Sequence, residues 1–325
     1  MPAPNPLACD LAGIALASPV ILAAGTAGVL HEMTDALDLS RVGALTTKSI
    51  TLRPRDGNDT WRLIDAPGTV GMLNAIGLAN PGLDDFLAHA APRAASLPCP
   101  VIASVAGFSI DDYAALVANL DEHARSTPRS FPAIELNVSC PNVHTGAEFG
   151  SSPDLLRQLL TAVRPLARAT KLLVKLGPMA VGTGEFSAVA RAATDAGADA
   201  LCIANTAPAM SIDVRSRRPR LANLTGGLSG PAIHPIALRL VYQTRKDLGR
   251  HCPPIVGIGG VMNWRDAAEF VLAGATAVQV GTALFVDPRA PLAIAKGLAR
   301  WTRHQGRTSI SELVGDLREP ESLTG

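Results

Sequence analysis

The chain has 325 residues and a net charge of +1, so its charge balance gives no footing for nucleic acid or an acidic membrane surface. Apolar residues make up 47% and aromatics only 4%, an ordinary apolar share with an aliphatic core, which suits parallel strands covered by helices. No apolar run approaches the roughly 20 residues of a membrane-spanning helix. Met1–Pro6 lacks the basic start and apolar stretch of a signal peptide, and a cytoplasmic protein is expected.

Short apolar runs recur in chain order: Val20–Leu22, Ala44–Lys48, Val101–Val105, Ile134–Val138, Leu172–Lys175, Ala200–Ile203, Ile255–Ile258 and Ala277–Val280. Amphipathic stretches of helix length lie between most of them, at Ser152–Ala169, Phe186–Ala196, Ile233–Leu248 and Asn263–Ala273. Pro153 marks a helix start, and Gly197 and Gly274 fall just past helix ends. Strand–helix units repeated without a linker predict one (β/α)8 barrel domain over residues 1–325. The alternative is an open doubly wound sheet. The missing GxGxxG fingerprint after the first run weakens it.

A barrel makes a sharp demand: chemistry belongs at the carboxyl ends of its strands. Lys48, Ser104, Asn137, Lys175, Asn205, Gly259 and Gly281 all close their runs. A lysine closing a buried strand calls for an anionic partner, and this chain has two of them. Gly259-Gly260 and Gly281-Thr282 close the last two runs, where barrels frequently cradle a phosphate on backbone N–H groups. Gly226–Gly230 reads as a further flexible segment on that face.

The five cysteines are scattered, and no CxxC pair exists. That argues against a disulfide framework, a zinc site or an iron–sulfur cluster on this chain, and no metal is expected. One reactive thiol among inert ones is the simpler reading. Cys140 stands out, in Ser139-Cys140-Pro141-Asn142 directly after a buried strand. It is either a small buried apolar residue or a base or nucleophile with a tuned pKa. The residues alone therefore describe a barrel with a phosphate-bearing cofactor, a polar pocket with two cations, and a thiol.

Several segments carry a resemblance over nearly the whole length: Gly71–Leu78, Asn80–Gly82, Asn137–Val143, Val174–Leu176, Asn205–Thr206, Leu221–Pro231, Gly257–Met262 and Ala277–Ala283. In this order they resemble the class 1 dihydroorotate dehydrogenases, and most of all the class 1B catalytic subunit. The membrane-associated class 2 enzymes use serine as base and carry an N-terminal extension.

The resemblance implies one FMN per chain and oxidation of dihydroorotate to orotate in pyrimidine synthesis. It makes Cys140 the base at C5, with the C6 hydride passing to N5 of the flavin. It implies substrate contacts from Lys48, Asn74, Ala75, Ile76, Gly77, Leu78, Asn137, Asn205 and Thr206. It implies cofactor contacts from Ala24, Gly25, Lys48, Ser49, Ser104, Asn137, Lys175 and Ala204. Gly230, Gly259, Gly260, Gly281 and Thr282 complete the implied cofactor set. A positive charge at Lys175 would favour the anionic reduced flavin. Pro141–Ser152 is expected to form a lid over the substrate, with Gly146 and Gly150 as hinges.

This chain departs from the family pattern at several points. Ser104 stands where asparagine is usual, Ala24 where serine is common, and Ala204 where a larger apolar residue is usual. Ala207–Met210 and Gly177–Met179 also differ. Subclass resemblance further implies a homodimer flanked by partner subunits that carry FAD and a 2Fe–2S cluster and pass electrons to NAD, a heterotetramer in all. The basic run Arg215–Arg220 reads as a solvated loop, with a docking or dimer-contact role as its sharper alternative. Two rival functions are an FMN reductase like dihydropyrimidine dehydrogenase and a catalytically inactive flavin-binding scaffold.

Overall fold

The structure, a computed structural model, describes residues 5–66, 68, 70–138, 149–178 and 185–320. Eight parallel strands close into a barrel. They are β1 (Val20–Leu22), β2 (Ala44–Thr46), β3 (Val101–Val105), β4 (Ala133–Asn137), β5 (Lys171–Leu176), β6 (Ala200–Ile203), β7 (Ile255–Ile258) and β8 (Ala277–Val280). Neighbours in sequence are neighbours in space, and β8 pairs with β1 to complete the ring. Each predicted run is a barrel strand, and the doubly wound alternative is excluded by that closure.

Helices α1 (Ile110–Ser126), α2 (Pro153–Val163), α3 (Glu185–Asp195), α4 (His234–Leu248), α5 (Trp264–Leu272) and α6 (Ala290–His304) cover the outside. Their ends follow local chemistry. Ser152 caps α2 by accepting from the Leu155 N–H, and Pro153 fills the first turn, where no N–H partner exists. Asn263 and Asp266 form a reciprocal capping box at the start of α5.

Side chains alternate inward and outward along each strand, and the inward set changes character with height. At the lower level Ile21, Ala44, Ile102, Ala133, Leu173, Ala200, Val256 and Ala277 form one apolar cluster. The hairpin of Cys9–Leu11 with Ile14–Leu16 plugs that end through Leu11, Ile14 and Leu16. Two residues further along the strands come Thr46, Ser104, Glu135, Lys175 and Gln279, all buried. An apolar floor thus carries a polar layer that points toward the carboxyl ends.

A second sheet was not foreseen. Ala207–Ala209, Gly226–Ser229, Met72–Asn74 and Leu63–Asp65 pair antiparallel in that order. The segment 226–229 is therefore a central strand rather than a flexible loop. Its glycines serve close approach: a Cβ on Gly227 would fall on the Thr206 hydroxyl. Arg215–Arg220 lies in and beside the small hairpin of Ile212–Asp213 with Arg218–Pro219, and it is solvent-exposed.

Candidate active site

The loops after β1, β2, β6, β7 and β8 and the ends of β4 and β5 surround one cavity of about 220 Å³. Lys48, Ser49, Asn137, Lys175, Ala204, Asn205 and Thr206 line it, with Ala24 and Gly25 from the β1 loop. Gly230, Gly259, Gly260, Gly281 and Thr282 line it as well. From the Met72–Asn74 strand and its following loop come Asn74, Ile76, Gly77 and Leu78. Residues spread over more than two hundred positions meet here because the barrel brings every strand end to one face.

Two expected contacts are not among the lining residues. Ala75 is fully buried in a small cluster with Ala66, Leu73 and Leu221, its backbone held by Arg62 and Asn58. Ser104 is fully buried beneath the wall. Its short hydroxyl meets Ser49 Oγ at 2.9 Å and donates to Glu135 Oε1 at 3.3 Å, where a longer amide would reach further. Cys140, Gly146 and Met179 lie outside the described residues. Gly150 is buried in a short helical turn and donates its N–H to the Val138 carbonyl at 3.0 Å. That end of the expected lid is tied to the strand end.

The loop at 75–78 is rigid because its carbonyls are claimed from behind. Ala75 O accepts from Asn58 Nδ2 at 2.8 Å, and Ile76 O accepts from the Asn58 N–H at 3.0 Å. Gly77 O accepts from Arg55 Nε at 3.3 Å, and Leu78 O from Asn80 Nδ2 at 2.6 Å. Asn74 Nδ2 donates across the sheet to Gly227 O at 3.1 Å.

Beneath the cavity, Glu135 is wholly buried, with Lys175 Nζ 3.6 Å away. It also accepts from Gln279 Nε2 at 2.7 Å. This is the anion that a buried lysine requires. Asn137 Nδ2 donates to Ser49 Oγ at 3.3 Å, and Asn137 Oδ1 accepts from Asn205 Nδ2 at 3.1 Å. Tyr113 fixes the Asn137 backbone by donating to its carbonyl at 2.7 Å. Lys48 is different in kind: burial first, and the positive charge of Arg62 second, hold its ammonium below the usual lysine value. It is poised to gain from an anion.

The described cysteines are inert by environment. Burial, followed by Asp10, pushes the Cys9 thiol up to about 12, and burial pushes Cys99 up to about 11. Cys202 is raised well above its ordinary value by burial and then by the Glu135 carboxylate. Burial raises Cys252 as well.

The rim after β7 and β8 fits a phosphate-bearing ligand. Gly260 has φ +64°, and a Cβ there would lie 2.7 Å from Gly230 O, so only glycine leaves room. Thr282 and Ser229 hydroxyls meet at 3.0 Å on the same rim. Gly25 has φ +82° with nothing within 4 Å of its Cβ position, which faces open space. Gln279 lines the cavity, and its buried Oε1 has no partner among the described residues. An N–H on a polar ring would satisfy it. The donor set therefore suits FMN: a phosphate end, a cation, and an acceptor for an imide N–H.

Sequence reasoning missed Gln279 and Glu135. Both interrupt buried apolar strands at inward positions, and period-two counting from Ala277 and Ala133 was the available signal.

Fold and cavity together define a (β/α)8 barrel with a cation-lined ligand site on its carboxyl face. The family model described as dihydroorotate dehydrogenase matches residues 6–301, and the chain belongs to that family. Among curated relatives, the dihydroorotate dehydrogenase B (NAD(+)) catalytic subunit of Pelobacter propionicus is 46% identical over 95% of this chain and 97% of that protein. The same-named subunits of Trichlorobacter lovleyi and Geotalea uraniireducens are 45% and 44% identical over 96% of this chain and 98% of each relative.

Proposed function

We propose that this chain is the FMN-bearing catalytic subunit of an NAD-linked dihydroorotate dehydrogenase, acting in pyrimidine biosynthesis. The observation that carries the reading is one cavity. In it Lys48, Asn74, Asn137, Asn205 and Thr206 stand beside Lys175 and the glycine rim, in a chain of this family. Gly230, Gly259, Gly260, Gly281 and Thr282 would hold the phosphate end of FMN, and Lys175 and Gln279 its polar ring. When bound, FMN supplies the two-electron acceptor for the hydride leaving C6 of dihydroorotate.

The chain's own residues do the rest. Lys48 binds the substrate carboxylate, which returns to its ammonium the stabilisation that burial removes. Asn74, Asn137 and Asn205 pair with the ring amides and oxygens, and the braced 75–78 loop lies along the ring. Cys140, as thiolate, takes the proton from C5. Segment 141–152 excludes water during the step. A partner subunit with FAD and a 2Fe–2S cluster, docked on a homodimer of this chain to make a heterotetramer, would carry the electrons on to NAD. Among the described residues no helix is long and apolar enough to cross a membrane.

Flavin titration tests the reading. The purified chain should take up one FMN, and orotate should then shift the flavin absorption, with Lys48→Met weakening that response at least tenfold. A chain that binds no FMN, or whose flavin ignores orotate, contradicts it.

A further inference from the structure

Glu135 touches neither solvent nor the cavity, yet it terminates the polar chain that runs through Ser104, Ser49, Asn137 and Asn205, and it also holds Gln279. An ionised carboxylate only accepts hydrogen bonds. Ser104 must therefore spend its one hydrogen on Glu135 Oε1 at 3.3 Å and accept from Ser49 at 2.9 Å. Ser49, its hydrogen spent, accepts from Asn137 Nδ2 at 3.3 Å. The nitrogen end of Asn137 is thereby fixed, its Oδ1 accepts from Asn205 Nδ2 at 3.1 Å, and Asn205 Oδ1 accepts from the Thr206 N–H at 2.8 Å. On the other side Gln279 turns its nitrogen to Glu135 Oε2 at 2.7 Å, which orients Oε1 as the acceptor left for a ligand. Every donor in this relay points toward one anion.

The same carboxylate lies 3.6 Å from Lys175 Nζ, with side-chain exposures of 0% and 7%. At that separation and burial it offsets much of the field that Lys175 projects into the cavity.

We propose that Glu135 is a positioning residue with two effects. It sets the donor order of the amides that meet the substrate, and it limits the positive charge that Lys175 presents to the cofactor. This rests on the function proposed above and names residues that regulate its specificity and its redox poise. Ser104 gains a role as well: its hydroxyl accepts and donates at one atom, which is what a relay between Ser49 and Glu135 requires.

The test compares wild type, Glu135→Gln and Ser104→Ala, each loaded with FMN, by midpoint potential and by orotate titration of the oxidised flavin. Glu135→Gln keeps the shape, removes the charge and permits the relay to reverse. It should favour the two-electron-reduced cofactor at least tenfold, which is about 30 mV upward for a two-electron couple, and weaken orotate about tenfold. Ser104→Ala cuts the relay alone. It should weaken orotate several-fold while leaving the potential at the wild-type value. The proposal is overturned if Glu135→Gln keeps the wild-type potential and orotate affinity, or if Ser104→Ala moves the potential as far as Glu135→Gln does. Should Glu135→Gln yield no folded protein, Ser104→Ala decides: weakened orotate supports the relay, and wild-type affinity refutes it. A wild type that binds neither FMN nor orotate overturns the functional reading itself, and is distinguished from these outcomes by needing no variant.

Discussion

Replacing Lys175 by methionine keeps most of the apolar stem, removes the ammonium and strands the Glu135 carboxylate in the barrel interior. The pair is separated by 3.6 Å, and its side chains are 7% and 0% exposed. With an effective dielectric near 20, that distance corresponds to about 4.6 kcal/mol, within the roughly 3–5 kcal/mol lost when one partner of a buried pair is removed. At about 2.1 cal/mol/K per residue, a 325-residue chain has an unfolding entropy of about 0.7 kcal/mol/K, so the loss lowers Tm by about 4–7 °C. Calorimetric unfolding of the FMN-free chain beside wild type reads this without a contribution from cofactor binding. Lys175→Met combined with Glu135→Gln should recover most of the loss, because no charge is then left unpaired. A single variant that melts within about 1 °C of wild type, or a double variant no more stable than the single one, would refute the pairing.

Other outcomes follow from the same geometry. Gly260→Ala forces a Cβ into a left-handed position 2.7 Å from Gly230 O, and should cost about 1–2 kcal/mol and reduce FMN content measured by absorbance. Cys140→Ala should slow reduction of bound flavin by dihydroorotate by about 10²–10⁴ in stopped flow while FMN binding persists. Lys48 sits below its ordinary 10.5 through burial and Arg62, and a bound carboxylate raises it again. Orotate affinity should therefore fall as pH climbs through that lowered value, and titrations of Lys48→Met should lose the dependence. Alkylation of the native protein near neutral pH should mark Cys140 first, since burial keeps Cys9, Cys99, Cys202 and Cys252 protonated. Peptide mapping that finds one of those four labelled faster would contradict this.

The barrel was legible because each strand is a short aliphatic run between helix signals, and its strand ends were legible because a lysine or asparagine there breaks the pattern. The glycine pairs after β7 and β8 were readable for the same reason. The second sheet was not readable. Its strands are three or four residues long and contain Pro208, Gly226 and Gly227, and its defining pairings join Gly227 to Asn74 across the chain. No local pattern carries that information. Ser104 was half legible: its shortness beside the usual asparagine pointed to a lost or water-mediated contact, but not to the hydroxyl's place between Ser49 and Glu135. Position at a strand end places the backbone, but the length of the side chain decides whether the cavity or the layer beneath it is reached. Glu135 and Gln279 were visible as polar letters in apolar runs, yet their importance depends on facing one another across the barrel. Only closure of the sheet establishes that.

Whether this cavity oxidises dihydroorotate at a bound flavin is read by anaerobic mixing of the FMN-loaded chain with dihydroorotate. The flavin absorption band should bleach within a single turnover. That bleaching should be lost in Cys140→Ala at the same pH, and dihydrouracil, which lacks the carboxylate for Lys48, should give none. A flavin that stays oxidised with dihydroorotate, or that bleaches only with dihydrouracil, would contradict the assignment.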